Sequence, residues 1–200
     1  MLRKKCLITL FFLLALTLIN CEKDTPRCPP FLGDYFRISG ISQFSHQYWA
    51  GDTTLQILQD NSKLDFENYN GLILNYSVDY YGYNKMQPSI SFGQLYALSC
   101  RSSGLLGSKE KYKDIQIVTL NDFNSDFGKG DTINDLIRIR SYGTIEDFLI
   151  ENDSNTIKNH NINFYLTQEP TRDSKFKVKI FIEFQNGVAV SKESTTLEFD

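Results

Sequence analysis

The chain has 200 residues and a formal net charge of −3, with 41% hydrophobic, 22% charged and 14% aromatic residues. This balance describes one folded domain with a short appendage and excludes an extended disordered chain, a collagen and a coiled coil. A sequence pI near 5.5 also argues against nucleic acid as a partner, because phosphate binding needs a basic surface.

At the N-terminus, Arg3, Lys4 and Lys5 precede an uncharged apolar run from Leu7 to Ile19, the layout of a secretory signal. As a helix that run reaches only about 20 Å, short of the roughly 30 Å of bilayer hydrocarbon. Leu18-Ile19-Asn20-Cys21 resembles a bacterial lipobox, in which the Cys is lipidated and becomes the first residue after cleavage. The expected organisation is a cleaved lipoprotein signal over 1–20, a lipid-anchored tether over 21–33 and a single β-rich domain over 34–200. Acyl chains such as palmitate on Cys21 would hold the protein to a membrane without any further apolar surface. Cleavage removes three cations and no acid, so the mature charge falls to −6. Cys6 leaves with the signal, which leaves Cys28 and Cys100 available to each other. In an oxidising compartment that pair reads as a candidate disulfide, with two free thiols as the alternative.

Strand signals then recur along the chain. Residues 35–41 form the first, and Leu72, Leu74, Tyr76, Val78 and Tyr80 alternate with Ile73, Asn75, Ser77, Asp79 and Tyr81, a clean period of two. Softer or shorter candidates cover 91–100, 115–120, 136–140 and 161–166. Thr144 followed three residues later by Asp147 starts a short helix that ends by Asn152. Phe176, Val178, Ile180, Ile182 and Phe184 define one apolar face, and Asn186-Gly187 signals a two-residue hairpin turn in which both residues take positive φ. Val188 and Val190 begin the return, and 195–199 form a terminal strand. Short strands, polar turns and one connecting helix predict a mainly β fold. The expected form is an immunoglobulin-like antiparallel β-sandwich, with a β-barrel as the alternative.

Few residues carry recognisable chemistry. Asp122, Asn124, Asp126 and Gly128 form D-x-N-x-D-x-G, with alternating oxygen ligands of the kind calcium loops use. Phe127 and Ile133 stand where an EF-hand loop needs Gly and Glu, so a turn rich in Asp, Asn and Gly is the plainer reading and no cofactor is expected. Ser108 and Lys111 satisfy S-x-x-K, but the companion motifs of penicillin-recognising enzymes are absent. No catalytic motif is found, and the chain is not expected to be an enzyme. Trp49, Tyr81 and Tyr83 are candidate contact residues, since exposed aromatics stack on sugar rings or anchor protein partners.

The lipobox at Cys21, Cys28-Pro29-Pro30, Leu98-Ser99-Cys100, Ile115-Gln116-Ile117-Val118-Thr119 and the strand ending Asn186-Gly187 together resemble small Bacteroidota lipoproteins of a domain-of-unknown-function family. The resemblance implies a cell-envelope location, lipid-anchored to the outer membrane on its periplasmic or surface-exposed face, and no catalytic residues. The leading expectation is a non-catalytic binding domain that contacts a glycan or another surface protein. One alternative is a hydrolase acting on envelope or extracellular polymers, with His46, His160 and the acids between Asp122 and Asp131 as its only titratable candidates. The other is a structural subunit of a surface assembly.

Overall fold

The computed structural model describes residues 30–50, 54–82, 102–152 and 157–200. The signal, Cys21, Cys28, Tyr83, Cys100 and the strand expected over 91–100 lie outside the described residues. From Leu32 onward, the described residues belong to one compact unit.

That unit is mainly β, built as a sandwich around one core, with no closed barrel among the described residues. β1 (Tyr35–Ala50) and β4 (Tyr69–Tyr81) form a long antiparallel ladder at the centre of a five-stranded sheet. β2 (Thr54–Ile57) borders β1, while β7 (Asn161–Leu166) and then β6 (Ile137–Ile139) extend the sheet beyond β4. A second antiparallel sheet runs β10 (Ala189–Glu193), β9 (Val178–Phe184), β5 (Tyr112–Thr119). A third places β11 (Leu197–Phe199) between β3 (Ser62–Leu64) and β8 (Lys175–Phe176). There β11 runs parallel to β3, a pairing that the all-antiparallel expectation did not contain.

The core gathers Phe36, Phe44, Leu72, Leu74 and Phe164 from the five-stranded sheet and Ile115, Ile117, Ile180, Ile182 and Phe184 from the second. The alternations anticipated in β4, β5, β7 and β9 are those observed, with their apolar members turned inward. β1 is longer than its apolar pattern suggests, because two of its residues are extra. Ser39 and Ser42 are insertions opposite β4 that shift the register by one each. Their hydroxyls donate to the Ser77 and Asn75 carbonyls at 3.2 and 3.0 Å, so the bulges leave those serines partnered. The Lys192 ammonium, on β10, donates to the carbonyls of Ile41 and Ser42 at the second bulge.

The helix α1 (Ile145–Asn152) starts as its sequence indicates. Thr144 Oγ1 accepts the Asp147 N–H, and the Asp147 carboxylate accepts the Thr144 N–H, each at 3.0 Å, a reciprocal cap. The β9–β10 hairpin differs from expectation. Phe184 donates its N–H to Val188 and accepts that of Gly187, both at 2.9 Å, and of the pair Asn186-Gly187 only Gly187 has positive φ, at +83°. The loop is therefore three residues closed by a left-handed glycine, the form that follows a type I turn in a right-twisted hairpin.

Gly71 sits where β4 crosses β7, at φ +113°, and a Cβ there would strike the backbone carbonyl of Phe164. Around Gly187 there is open space. Gly71→Ala is therefore expected to destabilise by more than about 2 kcal/mol and Gly187→Ala by only about 1 kcal/mol, read from urea midpoints.

Candidate functional site

Because the bulges preserve the inward direction of Phe36, Ile38, Ile41, Phe44 and His46, the intervening residues of β1 all face outward together with alternate residues of β4 and β7. Gln43 of β1, Asn75 of β4 and Asn161 of β7 stand in one cross-strand row, with Ser45, Ile73 and Asn163 in the next. The Asn75 amide donates to Gln43 Oε1 at 2.8 Å, and Gln47 donates to Asn163 Oδ1 at 3.1 Å. This outward face thus carries a lattice of side-chain amides. Trp49 marks one end, 38% exposed, where it lies cross-strand from Leu55 and beside the Gln47–Ile57 pair on the edge strand β2. Tyr81 lies at the opposite end of the β1–β4 ladder, paired with Tyr35, their rings stacked with centroids 5.8 Å apart. The two described aromatic contact candidates therefore occupy one face of one sheet.

The same face leads into a pocket. β6 pairs only with residues 164–166 of β7, so beyond Ile139 the edge at Asn161–Asn163 is not covered by a strand. There β6 ends in a tight turn with Ser141 at φ +72°, closed by mutual backbone hydrogen bonds between Ile139 and Gly143 at 2.8 and 3.0 Å. The resulting cavity, about 260 Å³, has an aromatic floor of Tyr112, Tyr142 and Phe148 and a polar rim that includes Arg140, Asn159 and Asn161. Phe148 packs edge-on against Tyr142 at 4.9 Å and lies 5.3 Å from the Tyr112 ring. Below the floor the Tyr112 and Tyr76 hydroxyls share a buried hydrogen bond of 3.0 Å. Burial raises both phenols above their ordinary range, so they stay neutral. The side-chain amides of Asn159 and Asn161 have no hydrogen-bond partner among the described residues.

The other sequence candidates fall elsewhere. Asn124 Oδ1 accepts the N–H groups of Asp126 and Phe127, both at 2.9 Å. The carboxylates of Asp122 and Asp131 accept the N–H groups of Lys129 and Gly128 at 3.0 and 2.7 Å. These oxygens hold their own loop, and among the described residues no three His, Cys, Asp or Glu side chains gather as metal ligands. Ser108 is buried in a β-bridge, not on a helix, and its hydroxyl donates to Glu110 at 3.2 Å, so the S-x-x-K spacing is not one helical turn. His160 packs edge-on against Phe36 at 4.5 Å.

His46 is fully buried. Its Nε2 lies 2.9 Å from the Thr195 carbonyl, which can only accept, so Nε2 carries the proton and Nδ1 accepts from the Tyr69 hydroxyl at 2.8 Å. Burial lowers the His46 pKa to about 4, against the opposing pull of the Thr195 carbonyl. Both ring nitrogens are thus occupied, and the imidazole joins β1, β4 and the segment before β11.

Sequence reading had marked Trp49 and Tyr81 but not the amides or Arg140. Asn161, Asn163 and Tyr165 alternate with Ile162, Phe164 and Leu166, and that polar half of the pattern was the available signal. Fold and site together define a mainly β domain with an amide-covered sheet face and one aromatic-floored pocket. The chain belongs to the family described as domain of unknown function DUF5034, whose model matches residues 50–195. No curated protein and no solved structure matches it.

The unfolded chain takes up a proton on His46 below about pH 6.5, which the folded state refuses until about pH 4. The stability due to neutral His46 is complete above pH 6.5 and is lost as pH falls from there to 4, by about 3 kcal/mol. Urea denaturation at stepped pH is expected to show that loss, and His46→Gln to flatten it.

Proposed function

We propose that the protein is a non-catalytic, lipid-anchored domain of the bacterial cell envelope that binds a glycan on the outward face of its five-stranded sheet. The observation that carries the reading is the co-location of Gln43, Gln47, Asn75, Asn161 and Asn163 with Trp49 and Tyr165 on that face. A primary amide donates and accepts at adjacent atoms, which suits neighbouring sugar hydroxyls. An exposed aromatic ring offers an apolar surface to the C–H face of a pyranose. A concave site with an apolar floor and a few convergent polar groups is the usual form of a small-ligand site.

The hydrolase alternative asks for two carboxylates across a scissile bond or a nucleophile beside its base. The described lining of the pocket contains neither a carboxylate nor a histidine, and His46 is closed off by its partners. One observation favours a protein partner as a second reading. β2 is an edge strand whose four residues are all exposed, with Leu55 at 41% and Ile57 at 45% beside Trp49, and such an edge can accept an added strand.

The envelope part of the proposal rests on the basic and apolar N-terminal run and on Leu18-Ile19-Asn20-Cys21, as in lipoproteins of the Bacteroidota. Cys21 is the lipidated residue, and the outer membrane is the proposed site of attachment. Cys28 and Cys100 are proposed to form a disulfide in that oxidising setting.

Cys21→Ala is expected to shift the protein from the membrane to the soluble fraction on cell fractionation, and unchanged attachment would refute lipidation. Binding to oligosaccharides, followed by calorimetry, is expected to weaken at least about tenfold in Trp49→Ala and in Asn161→Ala, the scale of one or two well-placed contacts. If Trp49→Ala instead abolishes self-association in light scattering and no oligosaccharide binds, the strand-addition reading replaces it.

A further inference from the structure

We infer that the pocket beyond the end of β6 takes an anionic sugar unit, one bearing a carboxylate or a sulfate, which Arg140 and Lys158 recognise at its rim. This rests on the glycan-binding reading and adds the class of ligand.

In a chain whose acids outnumber its cations, 24 to 21, the only charged groups among the described residues lining this pocket are Arg140 and Lys158. Neither forms an ion pair among the described residues. The Arg140 guanidinium lies over the Tyr165 ring, 5.7 Å from its centroid. That stacking orients the fork through its flat face and leaves its N–H donors free at the edge, the arrangement that holds a carboxylate or sulfate by two parallel hydrogen bonds. The tight turn at Ser141 fixes the backbone on which Arg140 stands.

The remainder of the pocket suits the ring that carries the charge. Tyr142 and Phe148 supply an apolar floor, and the unpartnered amides of Asn159 and Asn161 stand at the rim for hydroxyls. The absence of a carboxylate from the described lining removes the repulsion that would select a neutral sugar. Asn161 and Asn163 belong both to this pocket and to the outward sheet face. A charged terminal or branching unit can therefore seat here while neutral neighbours lie along the sheet towards Trp49.

The full chain should be tested on an array carrying uronate oligosaccharides, sulfated oligosaccharides and their carboxyl-reduced and desulfated counterparts. The expected result is binding confined to acidic sugars, with the neutral counterparts at least about tenfold weaker and the affinity falling as salt rises. Whether the uronate or the sulfated series binds tells which anion supplies the charge. The double variant Arg140→Gln, Lys158→Gln is expected to lose that preference while keeping its thermal midpoint, and Lys63→Gln, on β3, to change nothing. Equal binding of neutral and acidic sugars, or a preference that survives the double variant, overturns the anionic assignment and leaves glycan binding standing. If no sugar of either kind binds, the glycan-binding reading falls, and this inference with it.

Discussion

In an antiparallel ladder successive side chains point to opposite faces, so one extra residue reverses every side chain beyond it. β1 contains two extra residues, Ser39 and Ser42, and the second reversal undoes the first. Between them the inward series changes its step, from Phe36 and Ile38 to Ile41 and then to Phe44 and His46. Without these insertions the apolar residues at 36–38 and at 44–46 would still share a face, but Ile41 would point outward. The third bulge, where Asn70 is extra on β4, lets β4 reach Tyr69 with its ring directed to His46. The amide face described above is the complement of this inward series, so core and site are set by the same register.

Polar groups within the core follow a consistent rule. His46, Ser194 and the Tyr76–Tyr112 pair are buried, and each finds a partner: Ser194 Oγ accepts the Val178 N–H at 3.1 Å and donates to the Thr195 carbonyl at 2.7 Å. An unpaired group there would cost free energy on burial. These bonds connect segments far apart in the chain, so they also specify which strands meet. Salt bridges such as Lys113–Glu183 and Lys177–Glu193 lie on the exposed rim, where ion pairs contribute little.

What could be read from the chain depended on how local the cause was. β4, β7 and β9 alternate strictly, and the Thr144–Asp147 cap is confined to four residues, so each was visible without tertiary information. β1 beyond Ile41 was not, because its bulges replace a period of two with steps of three, from Ile38 to Ile41 to Phe44. The hairpin at Asn186-Gly187 was located but its loop was misjudged by a residue, since the dipeptide serves two-residue and three-residue loops alike. β11 paired with β3 joins residues more than a hundred positions apart, and no local pattern encodes that choice. The pocket exists because β6 stops short of β7, a mismatch between segments that α1 separates. Trp49 and Tyr81 were legible as aromatics, but their common face emerges only from the pairing of β1 with β4.

The position of β11 has a consequence for the order of assembly. Leu197–Phe199 forms the middle strand of its sheet, held by β3 on one side and β8 on the other. Just before it, Thr195 supplies the carbonyl that receives the His46 proton. Residues synthesised more than a hundred positions earlier therefore wait for this segment before their edges and a buried imidazole are satisfied. A chain still threading out of a ribosome or through a translocation channel cannot complete this domain. Closure is a late event, in which the strand made after all the others described becomes the centre of its sheet.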